Sequence, residues 1–179
     1  MRIDPAVIRP SQTALVVVDM VRDFTDPDGL VFYPMNRQIL PAVVRLVDLC
    51  HQTGTLVIFM QHRYRSGKYD RNLETMRPNC IEGSGGEALD PALPVDRERD
   101  YIIQKRRYSA FYGTDLDLVL REHGIKNVAV VGTKTNCCIR ATVHDAYFND
   151  YLPIVISDCV GTNSEEVNRV HLEDMDKYF

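Results

Sequence analysis

The segment TALVVVD, residues 13–19, is an unbroken apolar run rich in valine that stops on a carboxylate. A strand with no polar face must be covered on both sides, which is the condition of a parallel sheet held between two layers of helix. TLVIFMQ at 55–61 and NVAVVGT at 127–133 have the same character. YIIQ at 101–104 and LPIVIS at 152–157 read as two further strands.

Helical periods fill most of the gaps. Asn36 to His51 carries Ile39, Val43, Leu46, Val47 and Cys50 at helical spacing, and Gly54 follows as a stop. Asp115 to His123 reads as a helix with Thr114 as N-cap and Gly124 as stop. Another helix spans about Asn136 to Asn149, and a last one starts near Ser164, with Glu165 and Glu166 well placed against its dipole. Strands alternating with helices give βαβ units. The expected fold is therefore a single α/β domain over residues 1–179, three-layered and Rossmann-like. The stretch Arg63–Asp100 breaks the alternation. It holds Pro78, Gly83, Gly85, Gly86, Pro91 and Pro94 and many charges, so it reads as one long irregular loop, the kind that is usually functional or mobile. Beyond Phe179 more helix or a short strand is expected.

A net charge of −4 supplies no basic field for nucleic acid. No apolar run approaches the ~18 residues of a membrane span. The start, MRIDPAVIRP, lacks the basic and apolar regions of a signal peptide. Five cysteines without a CxxC spacing argue against a disulfide framework and against a zinc ribbon. The expectation is a cytoplasmic protein with a thiol free for chemistry.

Ligands of doubly wound sheets bind beyond the carboxyl ends of the strands. Asp19, His62, Lys105, Thr133 and Asp158 stand at or just past those ends, and Cys138 follows five residues after Thr133, in the first turn of a helix. A thiol there feels the positive end of the helix dipole, which favours thiolate, and free N–H groups nearby can hold an oxyanion. The alternative is a small buried hydrophobe, a role that suits Cys137 better, since neighbours on a helix point about 100° apart. Asp19 is a desolvated carboxylate suited to general base work, or a cap that ties down the next loop. Lys105 is a charged partner for both, or a solvated edge charge beside Arg106 and Arg107. His144 lies six residues after Cys138, about 240° round the same helix, so it forms no dyad with it. One histidine, His62, makes no metal site.

GTKTNCCIRATVHDAYFNDY resembles the nucleophile segment of the isochorismatase-like cysteine hydrolases: Gly132, Thr135, Asn136, Cys138, Ile139 and Thr142 fill its places. ALVVVDMVRDF is similar to the family's aspartate strand, and KRRYSAFYGTDLD to its lysine segment. The resemblance implies a six-stranded, mostly parallel sheet and a thioester mechanism carried by Asp19, Lys105 and Cys138. It implies a cis peptide at Thr133–Lys134, which would turn the N–H of Lys134 toward that of Cys138 as an oxyanion hole. It also implies a small-molecule substrate, no cofactor, and a homo-oligomer, dimer or tetramer. Phe24, His62, Arg107, Tyr108 and Arg140 are the substrate-binding candidates. Arg63, Arg65, Arg107, Lys134 and Arg140 could each meet a substrate carboxylate.

Three departures matter. Met60 stands where nicotinamidases of the family carry the aspartate of an Asp-x-His metal pair, so no metal is expected. Val21 replaces a frequent amide side chain. Lys134 replaces a small apolar residue. The lysine segment looks closest to members that cleave ureido or carbamoyl groups. The rival readings are a metal-dependent nicotinamidase, an isochorismate vinyl-ether hydrolase, and a catalytically silent binding subunit.

Overall fold

The computed structural model describes Ala6 and residues 8–179. Its strands are β1 (Thr13–Val18), β2 (Leu56–His62), β3 (Tyr101–Lys105), β4 (Asn127–Thr133) and β5 (Leu152–Gly161). They form one sheet in the order β3-β2-β1-β4-β5, parallel throughout. Among the described residues the sheet has five strands, not the six that the resemblance implied.

The helices are α1 (Arg22–Thr25), α2 (Pro34–Thr53), α3 (Leu116–Glu122), α4 (Arg140–Phe148) and α5 (Glu165–Tyr178). α2 opens on Pro34, whose fixed φ suits a first helical position, and closes on Gly54 in the left-handed conformation. The Ser164 hydroxyl accepts the Val167 N–H and caps α5. α3 starts at Leu116 rather than at Asp115, with Asp115 instead of Thr114 at the cap position, although the Thr114 hydroxyl accepts the Leu116 N–H.

β1 is buried at every position, as its unbroken apolar run requires. Its side chains alternate. Leu15 and Val17 join Val57, Phe59 and Val131 under Ile39, Leu40, Val43 and Val47 of α2. Ala14, Val16 and Val18 join Ile58, Met60, Val128 and Val130 against Leu116 and Leu120 of α3 and Ile139, Val143 and Met175. Full burial of one such side chain stabilises by about 1.5–3 kcal/mol, so these two layers hold the fold. The chain runs outward from β1 through β2 to β3, then crosses to β4 on the other side of β1. The sheet therefore switches direction between the carboxyl ends of β1 and β4, which is where such sheets open a crevice.

β5 is longer than its sequence pattern indicates. Its pairing with β4 shifts register between Val130 and Gly132, and the strand then continues to Gly161. Asp158 is accordingly an exposed mid-strand residue rather than the end of the strand, and Thr162 takes the place at the rim.

The long segment after β2 holds one short 3-10 helix, Arg71–Glu74, several turns, and two isolated bridges, Tyr64 to Ile81 and Val21 to Leu89. Buried carboxylates organise it. Asp23 accepts the Cys80 N–H at 2.6 Å and the Leu30 N–H at 3.2 Å. Asp90 accepts the Thr25 hydroxyl at 2.7 Å and the Ala92 N–H at 2.9 Å. Asp100 binds His51 at 2.9 Å and the Asp96 N–H at 2.8 Å. These bonds satisfy loop amides that no ladder serves.

Candidate active site

Asp19 follows β1 directly, in a left-handed backbone conformation at φ 54°. Lys105 ends β3, two strands away, and its side chain reaches across β2. Lys105 Nζ lies 2.7 Å from Asp19 Oδ2, and neither side chain has any exposed surface. The same ammonium donates to the Arg107 carbonyl at 3.0 Å. Cys138 sits on the turn after β4, buried, close enough to Asp19 and Lys105 to feel both charges. Cys137 is partly buried and packs against the same apolar layer that holds Cys138.

Burial alone would lower the Lys105 pKa, but the facing charges of Asp19 and Cys138 outweigh it and hold the ammonium above its usual value. Burial pushes the Cys138 thiol up to about 12, against the pull of Lys105. Enclosure thus opposes the pull toward thiolate that a place in a first helical turn exerts. His62 ends β2, almost fully buried, and desolvation lowers its pKa to about 4, so its imidazole is neutral at pH 7. It lies between Phe24, at 6.1 Å, and Tyr64, at 4.7 Å between ring centres.

The turn that carries Cys138 is a π-type turn, Thr135–Ile139, with the Ile139 N–H donating to the Lys134 carbonyl at 3.1 Å. The Thr133–Lys134 peptide bond before it is cis. Its neighbours clamp it from several sides. Thr133 donates to Asn36 at 2.7 Å, and Asn36 donates to the Phe24 carbonyl at 3.0 Å. Thr135 donates to Asn168 and Thr162 to Asn136, both at 2.6 Å. Thr142 donates to the Cys138 carbonyl at 2.7 Å. Gly132 has φ 109°, and a Cβ there would stand 2.1 Å from the Val18 carbonyl oxygen. Only glycine lets β4 approach β1 so closely, next to Asp19.

Tyr108 is partly exposed and close enough to Cys138 and Lys105 to feel their charges. Lys134 projects its ammonium over the Tyr33 ring, 4.6 Å from its centre. Two substrate-binding candidates are engaged elsewhere. Arg140 pairs with Asp174 of α5 and contacts His171, because it lies two residues past Cys138, about 200° round the helix. Arg107 is held by Asp70 at 3.1 Å and lines a separate cavity. That cavity, of about 420 Å³, meets the Asp19–Lys105–Cys138 cluster only through Lys105.

Asp23, Asn36, Asp70 and Thr162 carry structural ties that sequence reading missed. Only Asp23 left a trace: it lies four residues after Asp19 in the same segment.

Residues 13–179 match the isochorismatase domain family. The chain belongs to the isochorismatase family. It is a hydrolase of that family, built on the family's α/β fold. It is 34% identical, over 91% of its length and 87% of the other, to a probable inactive nicotinamidase of Arabidopsis thaliana. It is 28% identical to the ureidoacrylate amidohydrolase of Acinetobacter baylyi, over its whole length and 84% of that protein. Among solved structures, an isochorismatase-like hydrolase from Alkaliphilus metalliredigens superposes with a TM-score of 0.88 at 30% identity, covering 93% of this chain and 92% of that one.

For an isochorismatase-family chain, the surroundings of His62 are unsuited to a metal. Met60, fully buried one side-chain step back along β2, offers a thioether in an apolar layer. Among the described residues no three histidine, cysteine or acidic side chains could share an ion. No helix of the described residues is long and apolar enough to cross a membrane.

Proposed function

We propose that this hydrolase cleaves the C–N bond of a small amide, carbamoyl or ureido compound through a thioester on Cys138. The carrying observation is the enclosed contact of Lys105 with Asp19, 2.7 Å apart, beside the Cys138 thiol. A buried ion pair that costs desolvation is poorly explained by stability alone. It is well explained by a need to move one proton in a fixed electrostatic setting.

Asp19 accepts the thiol proton as Cys138 attacks the carbonyl carbon. Lys105 stays cationic and balances the negative charge shared by thiolate and carboxylate. The developing oxyanion is taken by the N–H groups of Lys134 and Cys138. The C–N bond breaks, and the amine leaves with the proton that Asp19 held. Water then gives a proton to Asp19 and adds to the thioester, and the departing sulfur recovers that proton. Tyr108, Phe24 and His62 flank the acyl group.

The ureidoacrylate amidohydrolase relative and the lysine segment KRRYSAFYGT favour ureido or carbamoyl substrates. The apolar Met60 beside His62 weighs against a metal-dependent nicotinamidase. Ammonia release measured over a panel of amides, carbamoyl amino acids and ureido acids tests the reading. Turnover should vanish in Cys138→Ala and largely survive in Cys137→Ala. Equal turnover in wild type and Cys138→Ala would remove the thioester.

A further inference from the structure

We propose that the cavity between residues 63–68 and 104–113 is a binding site for a small, multiply charged oxyanion. Its walls are Arg63, Arg65, Ser66 and Lys68 on one side and Gln104 to Arg107, Tyr112 and Gly113 on the other, with Glu82 between them. The cationic side chains fall into two groups.

Some are held in place by carboxylates. Asp70 is nearly inaccessible and accepts from both Arg106, at 3.2 Å, and Arg107, at 3.1 Å. It also accepts the Asn72 N–H at 3.1 Å. One carboxylate thus serves two guanidinium groups. Each guanidinium has five N–H donors, these bonds engage one nitrogen of each, and both residues line the cavity. Arg63 is matched by Glu82 at 2.5 Å. Other side chains have no ion pair among the described residues: Arg65 and Lys68, both exposed at the rim.

The local charge follows. Arg63 and Glu82 cancel, Lys105 is matched by Asp19, and Asp70 cancels one of Arg106 and Arg107. That leaves one arginine of that pair with Arg65 and Lys68. The surplus of three positive charges is concentrated in about 420 Å³ of a chain whose net charge is −4. A surplus against the protein's own sign, with guanidinium donors lining a half-open cavity, fits a phosphate-like or polycarboxylate ligand.

The cavity also touches the proposed chemistry. Lys105 donates to the Arg107 carbonyl, so the residue whose guanidinium lines the cavity also holds the ammonium beside Asp19. The ligand's charge could belong to the substrate's own acidic end or to a separate effector.

Inorganic phosphate titrated calorimetrically at low ionic strength tests the proposal. One phosphate per chain should bind wild type, and Arg65→Ala/Lys68→Ala should weaken it by about tenfold or more. No saturable binding to wild type, or equal affinity in the double variant, would overturn it. The readout does not depend on catalysis: Cys138→Ala should bind phosphate as wild type does, whatever it does to turnover. Kinetics separate the two sources of ligand. Phosphate competing with an acidic substrate, raising KM alone, assigns the site to the substrate's acid group. An altered kcat at unchanged KM assigns it to a separate ligand.

Discussion

Thr142 donates its hydroxyl to the carbonyl oxygen of Cys138 at 2.7 Å, and its oxygen accepts the Ala110 N–H at 3.0 Å. One buried hydroxyl thereby joins the turn that carries the thiol to the loop that follows Lys105. A valine in its place keeps the shape and strands a buried N–H. Thr142→Val should lose about 1–3 kcal/mol of stability, whereas Thr142→Ser, which keeps both bonds, should lose about 1 kcal/mol for its missing methyl group. Turnover should fall further in the valine variant. Urea unfolding of both variants checks this, and a valine variant as stable as the serine one would count against the link.

The thiol itself gives a pH prediction. Burial raises the Cys138 pKa to about 12, so at pH 7 the free enzyme holds almost no thiolate. In a Cys137→Ala background, alkylation of Cys138 should be slow at pH 7. It should accelerate by about tenfold per pH unit as the pH rises toward that value. A rate already on its plateau at pH 7 would mean that the site stores a thiolate before substrate arrives.

His62 makes acid stability diagnostic. Its folded pKa, about 4, lies below the ordinary value of 6.5. Between those values the unfolded chain binds a proton that the folded chain refuses, so stability falls as pH falls through that window. From pH 7 to pH 5 the loss from this one group is about 2 kcal/mol. His62→Phe keeps a ring against Phe24 and Tyr64 and removes the titration. Urea unfolding at both pH values should show a flatter pH dependence in that variant; an unchanged slope would locate the effect elsewhere.

The parts of this molecule that were legible in the sequence are those set by local pattern. β1 could be read because a strand buried on both faces has no polar position. Asp19, Lys105 and Cys138 could be placed at one rim because each stands at or just past a strand's end. The pairing of Arg140 with Asp174 joins two different helices, and such a contact imposes no period on the sequence. Asp70 and Asn36 left no usable trace, and Asp23 left only its place four residues after Asp19. Each ties together segments remote in the chain, and a hydrogen bond between remote segments imposes no period. The extension of β5 past Ser157 depends on a register shift against β4, which composition does not encode.

Gly132 separates steric clash from backbone strain. Its φ of 109° and the Val18 carbonyl 2.1 Å from a would-be Cβ both oppose any side chain. Gly83, at φ 82°, has open space where a Cβ would stand. Gly83→Ala should therefore cost about 1–2 kcal/mol, the left-handed penalty alone. Gly132→Ala should cost at least about 3 kcal/mol, because β4 must also move off β1. Similar costs for the two, measured by urea unfolding, would contradict the close approach of the strands.

The last prediction concerns the Asp19–Lys105 pair as a unit. Both side chains are fully enclosed, so removing one partner leaves a bare charge in a medium that cannot solvate it. Lys105→Met should destabilise by about 3–5 kcal/mol, and Asp19→Asn by a similar amount. Lys105→Met/Asp19→Asn removes both charges and nearly preserves volume. It should recover most of that loss, giving a coupling of at least about 2 kcal/mol in a double-mutant cycle. Turnover should behave differently. If Asp19 moves the proton of Cys138 and Lys105 balances the charge, the double variant regains stability and no activity. A pair kept for folding alone would let the double variant recover both. A Lys105→Met variant within about 0.5 kcal/mol of wild type would show that water reaches the pair, and the enclosed setting on which the proton transfer relies would be absent.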